Sequence, residues 1–327
     1  MERPVMSIVT ATKGTFSDYW LEQLQSIQGQ VEFILVYPPG STPRQFEDAR
    51  IRTITSPFKG EVMQRFLGLI NAEGLYVMAL DDDDFVHPET FSMAQDYFAR
   101  FPESWVMRLR MDKIPDTEVT RIRGPWAAAP DLKQMGTFSQ ATAQQFKAEH
   151  PDEAGLLEIP IAPLDRPFDW RHLLVPFYPR KDMHGVHFEN FNNRVWKTDM
   201  VKSSLVHFSK SMQIWGAFTW MPFWSLDRAL GLFIQAEFYK KGAVVGHWLP
   251  APAQMRFIDR DPASKEPRTY LAADLLLNRA FPQYGYFWNL FFSQLWDTPK
   301  VMAKRVKQAV VKKKNGGAIV AAPRTQS

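Results

Sequence analysis

Four consecutive carboxylates, Asp81-Asp82-Asp83-Asp84, close the apolar run from Leu75 to Leu80. Adjacent like charges repel, so such a run is tolerated where water solvates it or a cation neutralises it. One reading is a polar turn that ends a strand. The other is a cation site, with Asp81 and Asp83 converging, Asp82 pointing elsewhere and Asp84 reaching the loop backbone. Hard oxygen donors suit Mg2+ or Mn2+ held together with phosphates. The Ca2+-loop spacing, with its central Gly and terminal Glu, is absent. So are a Gly-x-Ser-x-Gly nucleophile elbow, a Gly-x-Gly-x-x-Gly fingerprint and a Walker loop. Hydrolase, dinucleotide and ATP-loop chemistry therefore find little support.

The elements around the cluster alternate. Val5 to Ala11 reads as a strand, and Phe16, Tyr19, Trp20, Leu24 and Ile27 make a helical stripe that Ser17 or Thr15 can cap. Val31 to Tyr37 and Ile51 to Ile54 read as strands, Val62 to Ala72 as a helix stopped at Gly74, and Leu75 to Leu80 as a buried strand. A further helix starts after Pro88. This alternation predicts a parallel sheet, in which ligands bind beyond the C-terminal strand ends, where the acids lie. Trp105 to Met111 is a further strand, and residues 125 to 179 read as loops and short helices. Asn193 to Trp196 looks extended, Thr198-Asp199 caps a helix over Met200 to Leu205, Leu226 to Lys241 is helical up to Gly242, and Ala243 to Val245 is a strand.

The stretch Lys59-Gly60, the helix bearing Arg65, Asn71-Ala72-Glu73-Gly74-Leu75-Tyr76-Val77 and Leu80-Asp81-Asp82-Asp83-Asp84 resembles the family 2 glycosyltransferases, enzymes of the GT-A fold. The resemblance covers residues 5 to 97, weakens from 98 to 250, and is not evident beyond. It implies an α/β, Rossmann-type, mostly parallel sheet flanked by helices. It places the family's Asp-x-Asp motif on Asp81-Asp82-Asp83, with Asp81 and Asp83 as metal ligands. It implies a nucleotide-sugar donor, UDP- or GDP-linked, with Thr10, Ala11, Lys59, Arg65, Asp81 and Asp82 as candidate donor contacts. A fixed Mn2+ or Mg2+ would stabilise the charge that gathers on a departing nucleoside diphosphate. One departure stands out. Members often carry an Asp at the end of the second strand, where this chain has Tyr37-Pro38. Tyr37 is left either to stack on a base or to close the core.

An inverting sugar transfer needs a base for the acceptor hydroxyl. Trp224-Ser225-Leu226-Asp227-Arg228 resembles the family's acidic pair followed by an Arg-bearing helix, with Leu226 in place of the first acid. Asp227 is the preferred base; its other reading is a first-turn acid paired with Arg228. Glu237, Asp165, Asp169 and Glu189 are further candidates. His247 is a candidate extra metal ligand or a structural histidine.

A 45% hydrophobic share with 14% aromatics supports a real core and excludes a disordered chain. Cysteine is absent, which excludes disulfides and Cys-based zinc sites. The stretch ahead of the first strand is too short and polar for a signal peptide. From Asp297 onward there are eight Lys or Arg and one acid, so the basic character belongs to the tail and no nucleic-acid partner is expected. The tail follows an aromatic stretch from Phe281 to Trp296 and reads either as a helix packed on the domain or as a peripheral contact to an anionic membrane. The expected setting is cytoplasmic. The expected division is a nucleotide-sugar half over 1–97, an acceptor half over 98–250, and a helical aromatic and basic extension over 251–327. Beside glycosyl transfer to a glycan or lipid-linked acceptor stand two alternatives: nucleotidyl transfer on a similar fold, and a non-catalytic carbohydrate-binding scaffold.

Overall fold

The computed structural model describes residues 4–139, 155–173, 190–212, 223–260 and 269–317. Its first part runs β1 (Met6–Ala11), α1 (Asp18–Gln25), β2 (Val31–Tyr37), β3 (Ile51–Thr55), α2 (Glu61–Ile70) and β4 (Tyr76–Ala79). Then follow β5 (Phe85–Val86), α3 (Thr90–Arg100), β6 (Val106–Arg108), β7 (Met111–Pro115), α4 (Val119–Ile122), β8 (Thr137–Phe138) and β9 (Leu156–Pro160). The last part holds β10 (Arg194–Lys197), α5 (Thr198–Met212), α6 (Phe223–Glu237), β11 (Val244–Trp248), β12 (Met255–Asp259), α7 (Leu271–Ala280) and α8 (Gly285–Gly317).

Nine strands form the main sheet in the order β3-β2-β1-β4-β10-β6-β11-β9-β8. β1 to β4 are parallel, β10 runs antiparallel between β4 and β6, and β11 is parallel to β6. The anticipated mostly parallel α/β sheet, its flanking helices and its helical C-terminal extension are all present. Alternation along the strands sends side chains to two cores. Met6 and Ile8 face Trp20, Leu24, Met93 and Tyr97 on the α1/α3 side, whereas Val9, Val77 and Val106 face Val62, Leu69 and Leu230 on the α2/α6 side.

Several boundaries differ from the sequence reading. The first helix begins at Asp18, because Ser17 accepts from the Trp20 N–H at 3.1 Å. The expected strand Trp105 to Met111 is two strands in different sheets. The Arg108 carbonyl accepts from Leu249, while the Arg110 carbonyl accepts from Gln254 and Met255, so the chain changes sheet between them. β7 then joins β5 and β12 in a small three-stranded sheet. Residues 125–179, read as loops and short helices, also supply β8 and β9, because Leu156, Leu157 and Ile159 bury on the sheet beside β11. The helix anticipated over Met200 to Leu205 continues to Met212.

Gly246 lets β11 approach β6: a Cβ there would collide with the Val106 carbonyl oxygen. In α8, Tyr286, Phe287 and Leu290 are buried, whereas Met302 and Val306 are exposed. No helix among the described residues is long and apolar enough to cross a membrane.

Candidate active site

β4 is too short to carry the acids within the sheet, so they occupy the turn that follows it, at the C-terminal edge beside β1 and β10. Carboxylate oxygens of Asp81, Asp83 and Asp84 lie within 4.8 Å of one another. Each of the four acids has a different environment.

Asp81 turns toward α2, where Arg65 donates to it through Nη2. The same guanidinium holds Glu61, one helical turn back, at 2.7 Å. Arg65 is buried, which disfavours its charge, yet Asp81, Asp227 and Glu61 outweigh that and raise its pKa. Asp82 turns toward β1 and accepts from Thr12 Oγ1 at 2.7 Å. Thr12 Oγ1 in turn accepts from the Gly14 N–H at 2.9 Å. Gly14 has φ +81°, and a Cβ there would sit 2.9 Å from the Tyr37 ring. Tyr37 is therefore packed under this loop, 1% exposed, and closes the core. That decides between its two sequence readings.

Asp83 meets the Arg260 Nε at 3.2 Å. Burial pushes its carboxyl up to about 6, with Arg260 opposing and Asp81 and Asp82 reinforcing the shift. Asp84 is buried beneath the others, and burial raises its pKa well above the usual carboxylate range. One oxygen accepts from the Ile258 N–H at 3.0 Å and the other from Asn193 Nδ2 at 3.5 Å. Its own carbonyl accepts from Trp20 Nε1 at 3.0 Å. Asp84 thus reaches backbone of the strand β12 rather than of its own loop as expected, and ties the turn to β12, to the residue before β10 and to α1.

The donor set fits a hard dication. Three oxygens converge, and a cation would offset the burial and repulsion that disfavour the Asp83 charge. Asp81, Asp83 and Asp84 each offer one oxygen to such an ion, although each also has a partner within the fold, in Arg65, Arg260 and the Ile258 N–H respectively. A cavity of about 360 Å3 flanks Asp82 and Asp83 and is lined by Phe16, Tyr19, Trp20, Arg123 and Arg260 among others.

Asp227 lies on α6 in the field of this turn. Burial pushes its carboxyl up to about 7; Arg65 and Arg194 pull it down, and Asp81 and Glu61 push it up. Arg228 does not pair with it. Arg228 Nε instead meets Asp274 Oδ1 at 3.1 Å in a buried ion pair on α7. The structure thus brings Asp227, Arg65 and Asp81 into one electrostatic group.

The other candidates are placed elsewhere. Thr10 is fully buried within β1, Ala11 ends that strand, and Lys59 is exposed on the loop before α2. Asp165 pairs with Lys241 at 2.7 Å and Asp169 with Arg171 at 2.6 Å. Glu237 accepts from Ser203 at 3.2 Å. Burial pushes His247 down to about 4, and its Nδ1 meets the Tyr97 hydroxyl at 2.9 Å, so it is a structural histidine of the sheet. Glu189 lies outside the described residues.

Thr12 belongs to the first strand end that the resemblance sets beside the donor, and it meets Asp82 there; Asn193, Arg194 and Arg260 also stand at the site and were not among the predicted site residues. An arginine entering the apolar strand Arg194–Lys197 was the one local signal available in the sequence.

Among solved structures, the chain is similar to S. aureus TarS 1–349 in complex with UDP-GlcNAc. The TM-score is 0.50 at 13% identity, over 88% of this chain and 72% of that one. The likeness is one of fold. The same TarS fragment in complex with UDP matches at TM-score 0.47 and 13% identity, over 85% of this chain and 66% of that one, too low to add to the argument. No protein-family model and no curated protein matches the chain.

Proposed function

We propose that this chain transfers a sugar from a UDP- or GDP-linked donor to a glycan or lipid-linked acceptor, in a metal-dependent and inverting reaction. The observation that carries the reading is the convergence of Asp81, Asp83 and Asp84 at the end of β4, in a sheet of GT-A type. Asp81 and Asp83 hold Mn2+ or Mg2+, which supplies neutralising charge to the leaving diphosphate when bound. Lys59 and Asp82 stand on the donor side, Ala11 ends β1 beside them, Arg65 fixes the direction of Asp81, and Thr10, expected as a donor contact, is buried within the strand. Asp227 takes the proton of the acceptor hydroxyl. The new C–O bond forms at the sugar anomeric carbon as its bond to the diphosphate oxygen breaks, and the electron pair leaves with the nucleoside diphosphate. A carboxyl held near 7 is matched to that proton transfer at neutral pH.

Residues 1–97 form the donor half in this reading and 98–250 the acceptor half, with 251–327 as an extension. The exposed Met302 and Val306, beside Lys304, Arg305 and Lys307, suit contact with an anionic lipid surface.

The test is Mn2+-dependent binding and slow sugar release across a panel of nucleotide sugars, with wild type beside Asp83→Ala. The expected outcome is selective binding that the variant loses, with release slowed about a hundredfold or more. A folded wild-type chain that binds no member of the panel would overturn the reading. A product retaining a nucleoside monophosphate would replace it with nucleotidyl transfer.

A further inference from the structure

Most of the large hydrophobic side chains exposed among the described residues lie on two elements that touch, α8 and the segment 166–173. On α8 they are Leu295, Trp296, Met302 and Val306. On the segment they are Phe168, Trp170 and Leu173, the last two in a single 3-10 turn, Trp170–Leu173. Isolated exposed apolar residues are ordinary, but a group gathered on neighbouring elements marks a contact surface.

The segment is fixed along α8. A Cβ on Gly285, the first residue of that helix, would sit 2.2 Å from the Phe168 nitrogen, so the bare glycine lets the two backbones touch. Asn289 accepts from the Asp169 N–H at 2.8 Å and donates to the Pro167 carbonyl at 3.2 Å. Ser293 Oγ meets His172 Nδ1 at 3.1 Å, and Trp296 Nε1 donates to the His172 carbonyl at 3.1 Å. Asn289, Ser293 and Trp296 follow one another at helical spacing, so the segment runs down one side of α8.

Leu295, Met302 and Val306 are seven and eleven residues apart. On an α-helix these spacings return to nearly the same direction, so the three make one apolar stripe. Trp296 links the stripe to the segment through its bond to His172. Lys300, Lys304 and Lys307 are exposed on the other side of the same turns. From Asp297 onward there are eight basic residues and one acid, and that acid pairs with Lys300 at 3.1 Å.

We propose that α8 and the segment 166–173 together form one surface that docks on an anionic lipid bilayer, with Trp170 and Trp296 at the level of the headgroups. This rests on the lipid contact read for Met302 and Val306 and extends it to a second element with its own anchor. An apolar stripe backed by lysines is the pattern of a helix lying in a membrane interface. Lysine is depleted at protein–protein interfaces, whereas it draws a chain to anionic lipid. Tryptophan, with an apolar ring and a polar N–H, is enriched at the headgroup level. Charge and composition therefore favour a lipid surface over a protein partner.

The test is cosedimentation of the full chain, in EDTA, with vesicles of equimolar phosphatidylcholine and phosphatidylglycerol. Saturable binding is expected, weaker on phosphatidylcholine alone and weakened by salt. Trp170→Ala should reduce the affinity about tenfold, and Lys304→Glu by a similar factor. Both residues are exposed, so both variants should melt with the wild type. Leu173→Ser is a second variant on the segment and should also weaken binding. Absence of binding by the wild type overturns the docking surface. Binding that Trp170→Ala and Leu173→Ser leave intact overturns it too, because the tail alone then accounts for the contact.

A second copy of the chain on this surface would leave a different signature. Concentration-dependent dimerisation that Trp170→Ala abolishes, without vesicle binding, overturns the proposal in favour of self-association. The nucleotide-sugar panel needs no vesicles, so the two readings fail separately. Vesicle binding by a chain that takes no nucleotide sugar keeps the docking surface and sinks the transferase reading. Nucleotide-sugar binding without vesicle binding does the reverse.

Discussion

Arg65 and Arg194 are buried to similar depth, at 3% and 9% exposure, and both act on the Asp227 carboxyl. Their surroundings act in opposite directions. Around Arg65 the chain supplies Glu61 from the same helix, Asp81 from the acid turn and Asp227 from α6, and the guanidinium charge is favoured despite its burial. Around Arg194 burial comes first, then Arg108 as a like charge, with Asp227 in opposition, and the charge is disfavoured. Depth alone therefore says little about what a buried arginine does. An arginine surrounded by carboxylates is a fixed part of the framework.

The largest effect should come from removing the first of these. Arg65→Met leaves Glu61, Asp81 and Asp227 facing one another without their shared cation. Breaking such a pair typically costs about 3 kcal/mol. Urea unfolding at pH 7 with chelator present should show that loss at unchanged m-value. A loss under about 1 kcal/mol would mean that the Arg65 network adds little net stability, and one half of the contrast would fall away.

A second effect, several kcal/mol at most by linkage from the two shifts below and spread over about three pH units, should appear as a pH dependence. Asp227 is held up to about 7 and Asp83 up to about 6, both from an ordinary value of 3.8. Below pH 4 both groups are protonated in the folded and unfolded chain, and they impose no penalty. As pH rises from 4 to 7 the unfolded chain gives up these protons while the folded chain retains them. The unfolded state then binds fewer protons, so stability falls across that window and levels off above it. Thermal unfolding in EDTA should show the decline. Asp227→Asn should remove the Asp227 share of the decline, leaving that of Asp83, and melt higher than wild type at pH 8. A flat wild-type profile would mean that the charge of Asp227 is already fully compensated by Arg65 and Arg194.

The surroundings of the two arginines also differed in how far the sequence revealed them. The acid turn was legible because its signals are local: an apolar run, four adjacent acids and strand–helix alternation within one stretch of chain. Arg65 was legible because the helix carrying it belongs to the same stretch. The surroundings of Arg194 were not, because Arg108, Arg194 and Trp248 come from three separate segments and meet only through strand register. Trp105 to Met111 read as one strand, and nothing local marks the change of sheet between Arg108 and Met111. Asp84 illustrates the same limit. A contact with loop backbone was expected, but the partner is Ile258 in the strand β12, far along the chain and beyond the reach of the family resemblance.

The smallest expected effect is also the sharpest test of the contrast. Arg194→Met replaces a buried cation with an apolar side chain of similar length. The variant should lie within about 1 kcal/mol of wild type, because lost repulsion from Arg108 offsets the lost attraction to Asp227. A loss near 3 kcal/mol would instead show that Arg194 is satisfied within the fold as Arg65 is, and the two arginines would then be alike.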